Sequence, residues 1–482
     1  MSHLNLTIAE LHALYVSGLT TPLNVVNEVI SALEKDENNI LEQTMYEEAR
    51  LFAASLKEVE IDNLLWGIPF LVKDNIATKG VETTGSSNIL NGYVSLFDAE
   101  VIKRLKDQKA IPIAKTTMDE LGMGGKGMTG HKGITINPYS KDKLRIVGGS
   151  SSGSASGVAS GYVPFALASD TGDSIRKPAS LAGLVGFKPT WGELSRYGLF
   201  AFMPTLDHLG FFSRSVYDAS LLYESMRGYD PKDFTSNNNQ NHVNSLETLS
   251  KPLKDRKIAV IEPVFARLRN EAVISEFNNL VQKLEEAGAT VIFVSFDEKL
   301  LKAILPTYLI LSCSESTASN ASLSGINFGN KKEGSSYEEI VLNTRTEGFT
   351  KRIKFRFLLG DYSLGKNNRH AFYERAQKAR ALIVKAVNEV LDDFDVIMLP
   401  AAPSHAPVLN KVDEPNSEIE NNYLAIGNLG GFPSLTIPFA LDKGLPLGIN
   451  ITGKVFDDHT VLSVGYQIEQ ITNLYNLHAG QR

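Results

Sequence analysis

The stretch from Lys257 to Phe296 does most to limit what this chain can become. "KIAVIEP" is an apolar run of strand length, "EAVISEFNNLVQKLEEAG" places apolar residues at helical spacing and stops at Gly288, and "ATVIFVSF" is a second strand. Strand, helix and strand in this order form a parallel crossover, which implies a sheet covered by helices. The alternation recurs elsewhere. A long helix from about His370 to Asp392 leads into the strand "DVIMLPAAP", and "VASGYVPFALASD" reads as a helix end, a break at Gly161 and a strand. "LLWGIPFLVKDNI" reads as a buried strand that delivers Lys73 at its end. The expected class is α/β.

Residues 7–60 read as helices. "TIAELHALYVSG" has Thr7 as N-cap with Glu10 three residues on, a capping-box spacing, and Gly18 at the far end. "TPLNVVNEVISALEKDE" repeats the scheme with Pro22 in the first turn. The polar stretch that begins at Asp230 and runs to about residue 256 is expected to be a surface loop. It divides a core of about residues 61–230 from the β-α-β and C-terminal part, 257–482, of the same sheet, so that 1–482 forms one domain.

Composition excludes several function classes. There is no run of about 18 apolar residues, as a membrane span needs, and no basic, then apolar, leader at the N-terminus, so a cytoplasmic protein is expected. One cysteine, Cys313, forbids an intrachain disulfide or a cysteine-based zinc site. It lies in the apolar run "YLILSCSES" and reads as a buried, inert thiol. A net charge of −7 argues against a self-sufficient nucleic-acid binder; RNA, if involved, is held mostly by a partner.

Four short patterns compete as the functional site. Gly122-Met-Gly124-Gly-Lys-Gly127 matches a dinucleotide fingerprint, but the preceding "TTMDELGM" looks helical where a strand is required, and polar loop follows. Gly149-Ser-Ser151-Ser-Gly153 matches a nucleophile elbow without the strand that should run into it, and the later His405 and His459 sit in ordinary surface contexts. Ser174-Ile-Arg-Lys177 matches S-x-x-K, yet Pro178 is expected to push Lys177 out of helical geometry.

The fourth pattern joins separated pieces: Lys73 in "GIPFLVKDNI", Ser150 opening "SSSGSASG" after Gly148-Gly149, and Ser174 in "SDTGDSIR", 24 residues beyond Ser150. With "GLVGFKPTWGELSRYGL", "GNLGGFPSLTIPF" and "GLPLGINITG", the chain resembles the amidase signature family along essentially its whole length. The resemblance implies one amidase-signature fold, a large mixed sheet with helices on both faces. It makes Ser174 the acylated nucleophile, Ser150 the bridging serine and Lys73 the base. Amide attack needs an activated hydroxyl and donors aimed at the developing oxyanion. The backbone N–H groups of Thr171, Gly172, Asp173 and Ser174 can line that hole. The family usually has Gly-Gly before the nucleophile, where this chain has Gly172-Asp173.

Four further segments, "SRYGLFAF", "GYDPKDFTS", "SESTASN" and "RTEGFTKRIKFRFLLGDY", resemble the branch of the family that hydrolyses glutamine to supply ammonia for tRNA-dependent amidation. That likeness implies Arg356 on the glutamine α-carboxylate and Tyr308 as a second contact. It implies a B subunit and a small C subunit as partners, with Glu-tRNA(Gln) or Asp-tRNA(Asn) held mainly by the B subunit. It implies no cofactor or metal in this chain; ATP and Mg²⁺ belong to the partner's step. Where the branch places an Asp against the glutamine ammonium, this chain reads "EIENNYLAIGNLGG", with Asn421 nearest and Glu420 beside it. Either Glu420 takes over the charge or the contact is weakened. A stand-alone amidase of small amides and an inactive scaffold are the alternative readings.

Overall fold

A computed structural model describes residues 2–411 and 422–479. Among the described residues eleven strands form one sheet: β1 (Leu41–Thr44), β2 (Pro69–Lys73), β3 (Ile111–Thr116), β4 (Phe165–Asp170), β5 (Val185–Lys188), β6 (His208–Ser213), β7 (Lys257–Ile261), β8 (Thr290–Val294), β9 (Val396–Pro400), β10 (Ser434–Asp442) and β11 (Leu445–Gly453). Their order is β1-β3-β2-β4-β6-β5-β10-β11-β9-β7-β8. β2 runs parallel to both β3 and β4, and β7 runs parallel to both β8 and β9; the pairs between these groups are antiparallel. The sheet is therefore mixed, with a parallel group towards each end.

The helices that flank the sheet include α1 (Ile8–Val16), α2 (Pro22–Leu33), α3 (Ser152–Ala159), α4 (Arg176–Ala182), α5 (Glu271–Glu286), α6 (Glu298–Ser319), α7 (Tyr337–Gly348), α8 (Lys351–Leu364), α9 (Arg375–Asp393) and α10 (Asp458–Thr472). α4 and α10 lie on opposite faces of the β10–β11 hairpin. A methyl at Gly448 would strike Ser180 of α4, whereas one at Gly453, whose side alternates with that of Gly448, would strike Val461 of α10.

Much of the local reading is borne out. Thr7 and Glu10 form the capping box of α1, Thr21 caps α2 with Pro22 in its first turn, and the β7–α5–β8 crossover is parallel. The segment 7–60 is not wholly helical: β1 interrupts it, because four residues are too few to show a strand period and their pairing with β3 is a long-range contact. "TTMDELGM" forms only a 3₁₀ turn at Glu120–Gly122, with Leu121 at φ 51°. Lys177 lies inside α4, where Pro178 occupies the first turn and its missing N–H needs no helical partner.

The serine–glycine run is packing material. α3 lies directly on β2 and β3 because a side chain at Gly153 would meet Ile40 O and Thr117 at 2.6–2.8 Å, and one at Gly157 would meet Leu71 Cδ1 at 2.5 Å. Its serines turn inward: Ser154 Oγ donates to Leu167 O at 2.9 Å and Ser156 Oγ to Ile136 O at 3.0 Å. Gly153→Val is expected to cost about 3 kcal/mol through overpacking, read as a lower urea midpoint; unchanged stability would contradict this packing.

Candidate active site

β2 and β4 are parallel neighbours, so their carboxyl ends open on the same edge of the sheet, where α/β folds place their sites. Leu71 of β2 faces Gly157 of α3. Two residues on, Lys73 projects from the same side, towards the N-terminus of that helix. Lys73 is fully buried, 0% exposed. Its Nζ lies 2.8 Å from Ser150 Oγ, 2.8 Å from Ser151 Oγ, 2.9 Å from Ser169 Oγ and 3.2 Å from Ser169 O. Burial lowers its pKa from 10.5 to about 7, against the more distant carboxylates of Asp170, Asp119 and Asp207, which raise it.

The geometry also aims the amine. Ser151 Oγ donates to Ser169 O at 3.0 Å, which leaves its lone pair for a Lys73 N–H. Asn75 Nδ2 donates to Ser169 Oγ at 3.0 Å. A neutral amine has two N–H donors and one lone pair. With donors spent on Ser151 and Ser169, the lone pair is left for the Ser150 hydroxyl.

Ser150 follows a cis peptide from Gly149, and Ser174 is buried in the turn between β4 and α4. The two serine-bearing segments pack together, for a methyl at Gly148 would lie 3.2 Å from Pro178 Cα. Among the described residues, no acceptor meets the backbone N–H groups of Thr171, Gly172, Asp173 or Ser174, whereas the next one, Ile175 N–H, donates to Asp170 Oδ2 at 2.8 Å. Four free donors in one tight turn can receive an anionic oxygen. Asp173 has no positive φ, so glycine is not required there, and its carboxylate pairs with Lys177 Nζ at 2.7 Å.

Two buried groups hold this turn. Arg176, 0% exposed, binds Asp170 through Nε at 3.1 Å and Nη2 at 3.0 Å, and the same Nη2 reaches Gly172 O at 2.7 Å. Asn428 Nδ2 donates to Asp170 Oδ1 at 3.0 Å. The Arg176 guanidinium and these donors keep the Asp170 carboxyl far below its ordinary range despite burial. On the other side Thr171 Oγ1 donates to Asp207 Oδ1 at 2.6 Å, and Asp207 Oδ2 accepts the Phe202 and Met203 N–H groups.

Tyr308 of α6 covers the turn: a methyl at Gly172 would touch its ring at about 2.9 Å. Arg356 of α8 lies with its guanidinium carbon 5.8 Å from the Phe202 ring centre, and its buried Nη1 has no hydrogen-bond partner among the described residues. The same contacts run back to the serine, since a methyl at Gly122 would lie 3.6 Å from Phe202 Cβ and 3.9 Å from Ser150 Oγ. The site therefore gathers Lys73, Ser150, Thr171 to Ser174, Tyr308 and Arg356; Glu420 and Asn421 lie outside the described residues. Ser151, Ser169, Asn75, Asp170, Arg176, Asp207 and Asn428 join the site without having been expected there. Only Ser151, Ser169, Asp170 and Arg176 carry a local signal, inside the Gly-Gly-Ser-Ser and Ser-Asp-Thr-Gly-Asp-Ser-Ile-Arg segments.

The competing patterns dissolve. The glycine loop from Gly122 wraps a carboxylate of its own chain: Asp119 accepts the N–H groups of Lys126, Gly127, Met128 and Thr129 at 2.9–3.1 Å. Cys313 is buried, which pushes its thiol pKa up. His405 and His459 are partly buried rather than on the open surface, beside Asp442 and Asp457. Among the described residues no cluster of His, Cys, Asp or Glu is arranged to hold a metal, and no helix is long and apolar enough to cross a membrane.

A family model described as Amidase matches residues 24–462. The chain belongs to the amidase family. Curated members similar to it include the A subunit of glutamyl-tRNA(Gln) amidotransferase from Macrococcus caseolyticus, 39% identical with 94% of each chain covered. The corresponding A subunit from Pediococcus pentosaceus is 35% identical with 99% of each covered. Among solved structures, the A subunit of glutamyl-tRNA(Gln) amidotransferase from Thermotoga maritima superposes with a TM-score of 0.76 at 31% identity, over 93% of this chain and 91% of that one. A bacterial aryl acylamidase of the amidase signature family shares the fold at a TM-score of 0.84 and 22% identity, over 99% of each chain.

A lysine that acts as base must be neutral. For this amidase kcat/KM is expected to rise about tenfold per pH unit below pH 7 and to level off above it, measured as amide hydrolysis; a flat profile from pH 5.5 to 8 would contradict a lysine base. The same pKa carries a stability consequence of fixed sign. Between about 7 and 10.5 the unfolded lysine holds a proton that the folded one lacks, so this group's contribution to stability rises with pH across that window.

Proposed function

We propose that this amidase is the glutamine-hydrolysing subunit of a tRNA-dependent amidotransferase, with Lys73, Ser150 and Ser174 as its catalytic residues. The observation that carries the chemistry is the buried Lys73 amine, 2.8 Å from Ser150 Oγ and titrating near 7. At neutral pH much of it is an unprotonated amine, buried from bulk solvent.

In this reading Ser174 Oγ attacks the side-chain carbonyl carbon of glutamine. Its proton passes to Ser150 as the Ser150 proton passes to Lys73, and the carbonyl oxygen becomes an oxyanion held by the N–H groups of the 171–174 turn. The Lys73 ammonium then returns its proton through Ser150 to the leaving nitrogen. The C–N bond breaks, ammonia departs, and a glutamyl ester remains on Ser174. Water, deprotonated by the same relay, attacks the ester, releases glutamate and restores the Ser174 hydroxyl. Asp170 and Arg176 take no proton; they hold the turn so that its donors need no rearrangement as charge develops.

Glutamine as the substrate is supported by Arg356. A buried guanidinium nitrogen without a partner is costly, and a carboxylate is the group a planar guanidinium binds best. The α-carboxylate of an amino-acid amide meets that need, with Tyr308 beside it between the guanidinium and the catalytic turn. The relatives' description as the A subunit of a glutamyl-tRNA(Gln) amidotransferase supports delivery of the ammonia to Glu-tRNA(Gln) within a heteromeric complex. B and C subunits, Asp-tRNA(Asn) as an alternative acceptor, and ATP and Mg²⁺ at the partner's step belong to the same proposal.

Ser174→Ala and Lys73→Ala are each expected to lower glutamine hydrolysis by at least about a thousandfold, followed as ammonia release by the protein purified from its host with any bound partners. Wild-type release should rise with added charged tRNA and ATP. Retention of a tenth of the activity in Ser174→Ala would overturn the nucleophile, and hydrolysis of simple amides with glutamine untouched would make the protein a stand-alone amidase.

A further inference from the structure

α8, which carries Arg356, lies on the surface and buries only Ile353, Gly360 and Ser363. Phe355, Leu358, Leu359 and Tyr362 are exposed, Leu358 to 68%. Apolar contact holds the helix along one side only, through Ile353 and Phe357. Its C-terminal half is fixed to α6, the helix of Tyr308. Gly360 approaches so closely that a methyl there would lie 2.1 Å from Cys313 O, and Ser363 Oγ meets Ser314 Oγ at 2.6 Å. At its N-terminal end Ile353 is buried in the core beside Phe349 and Lys354 Nζ donates to Thr346 O at 2.8 Å, while the capping residue itself is held by Glu120. This buried carboxylate accepts Thr350 N–H at 3.4 Å, Thr350 Oγ1, and Ser87 Oγ at 2.6 Å, and Thr350 is the residue that opens α8. The positive end of the helix dipole also favours an anion there.

Glu120 connects two parts of the site. It stands two residues before Gly122, which faces Ser150, while Arg356 lies six residues into α8, about 9 Å along its axis from the tied end. The turn that faces Ser150 has its own support, Leu121 N–H to Gly85 O at 2.8 Å and Gly122 N–H to Asp119 O at 2.9 Å, and does not need the Glu120 carboxylate. The tie thus serves the helix of Arg356 and leaves the serine–lysine relay independent.

We propose that Glu120, through its hydrogen bonds to Thr350, is a positioning residue that holds α8 so that Arg356 meets the substrate carboxylate, and thereby sets the preference for a carboxylate-bearing amide over a neutral one. The inference rests on the reading of Arg356 given above. A loose tie lets the guanidinium swing away from the carboxylate, and binding is lost while attack on a bound amide is not.

The test compares glutamine with butyramide, which lacks the α-carboxylate and the α-ammonium, using the full-length protein with its bound partners. Glu120→Ala is expected to raise the KM for glutamine about tenfold, with kcat for glutamine and kcat/KM for butyramide within twofold of wild type. Glu120→Gln, which keeps an acceptor for Thr350 N–H, restores most of the affinity. Thr350→Val, which keeps the size and removes the hydroxyl, shifts the KM in the same direction as Glu120→Ala and gives the reading if that variant does not fold. Equal losses on both amides, or an unchanged glutamine KM in Glu120→Ala and Thr350→Val, would overturn the proposal. Arg356→Ala is run alongside. If it separates the two amides and the Glu120 and Thr350 variants do not, the tie alone fails; if it does not separate them, the carboxylate reading fails and the tie with it.

Discussion

A lysine ammonium buried from water loses hydration that nothing short of a close carboxylate can replace, and around Lys73 the fold supplies neutral oxygens instead. Ser150, Ser151 and Ser169 surround its Nζ at 2.8–3.2 Å, while Asp170, Asp119 and Asp207 act only from farther out. Hydroxyls accept from an uncharged amine about as well as water does, so the neutral form is the one the cavity suits. The base strength of the site follows from this balance. A carboxylate in hydrogen-bond contact would restore the ammonium and remove the base.

The rest of the architecture can be traced from that requirement. To seat serines on the amine, α3 must lie against β2 and β3 without side chains between, which is what Gly153 and Gly157 allow. To present four N–H groups together, the turn after β4 must be held from outside its own backbone. The Asp170–Arg176 pair does this with charge-assisted bonds, completed by Asn428 from the far end of the chain. Such a pair is stable in the interior because each partner satisfies the other; removal of either would leave an uncompensated charge at a cost of about 3–5 kcal/mol. The helices that carry Tyr308 and Arg356 are built differently. α6 buries Leu301, Ile304, Leu311 and Cys313 and carries α8, which leaves most of its own length at the surface.

Features written within a few turns of chain were legible without coordinates. The parallel crossover through β7, α5 and β8, the capping box of α1 and the strand that ends at Lys73 each rest on local spacing, propensity or a cap, and each stands in the fold. Strands of four residues, such as β1 and β5, show no period and exist because a neighbouring strand completes their hydrogen bonds. Lys177 departs from expectation for a related reason: proline excludes a helix from its interior but is accepted in the first turn, and where a helix begins is decided by the clamp on Asp170.

Sequence alone supplied the residues proposed for the chemistry, a lysine at a strand end and two serines in glycine-rich turns 24 residues apart, because those types and spacings are covalent facts. It also settled the α/β class, since hydrophobic periodicity is local. Tertiary structure alone decided that the Lys73 amine is buried with its pKa lowered to about 7, that the N–H groups of the 171–174 turn meet no acceptor among the described residues, and that Tyr308 covers this turn while Arg356 lies against Phe202, both from distant helices. Burial, dielectric surroundings and contacts between residues hundreds of positions apart are properties of packing in space, and no local pattern of residues encodes them.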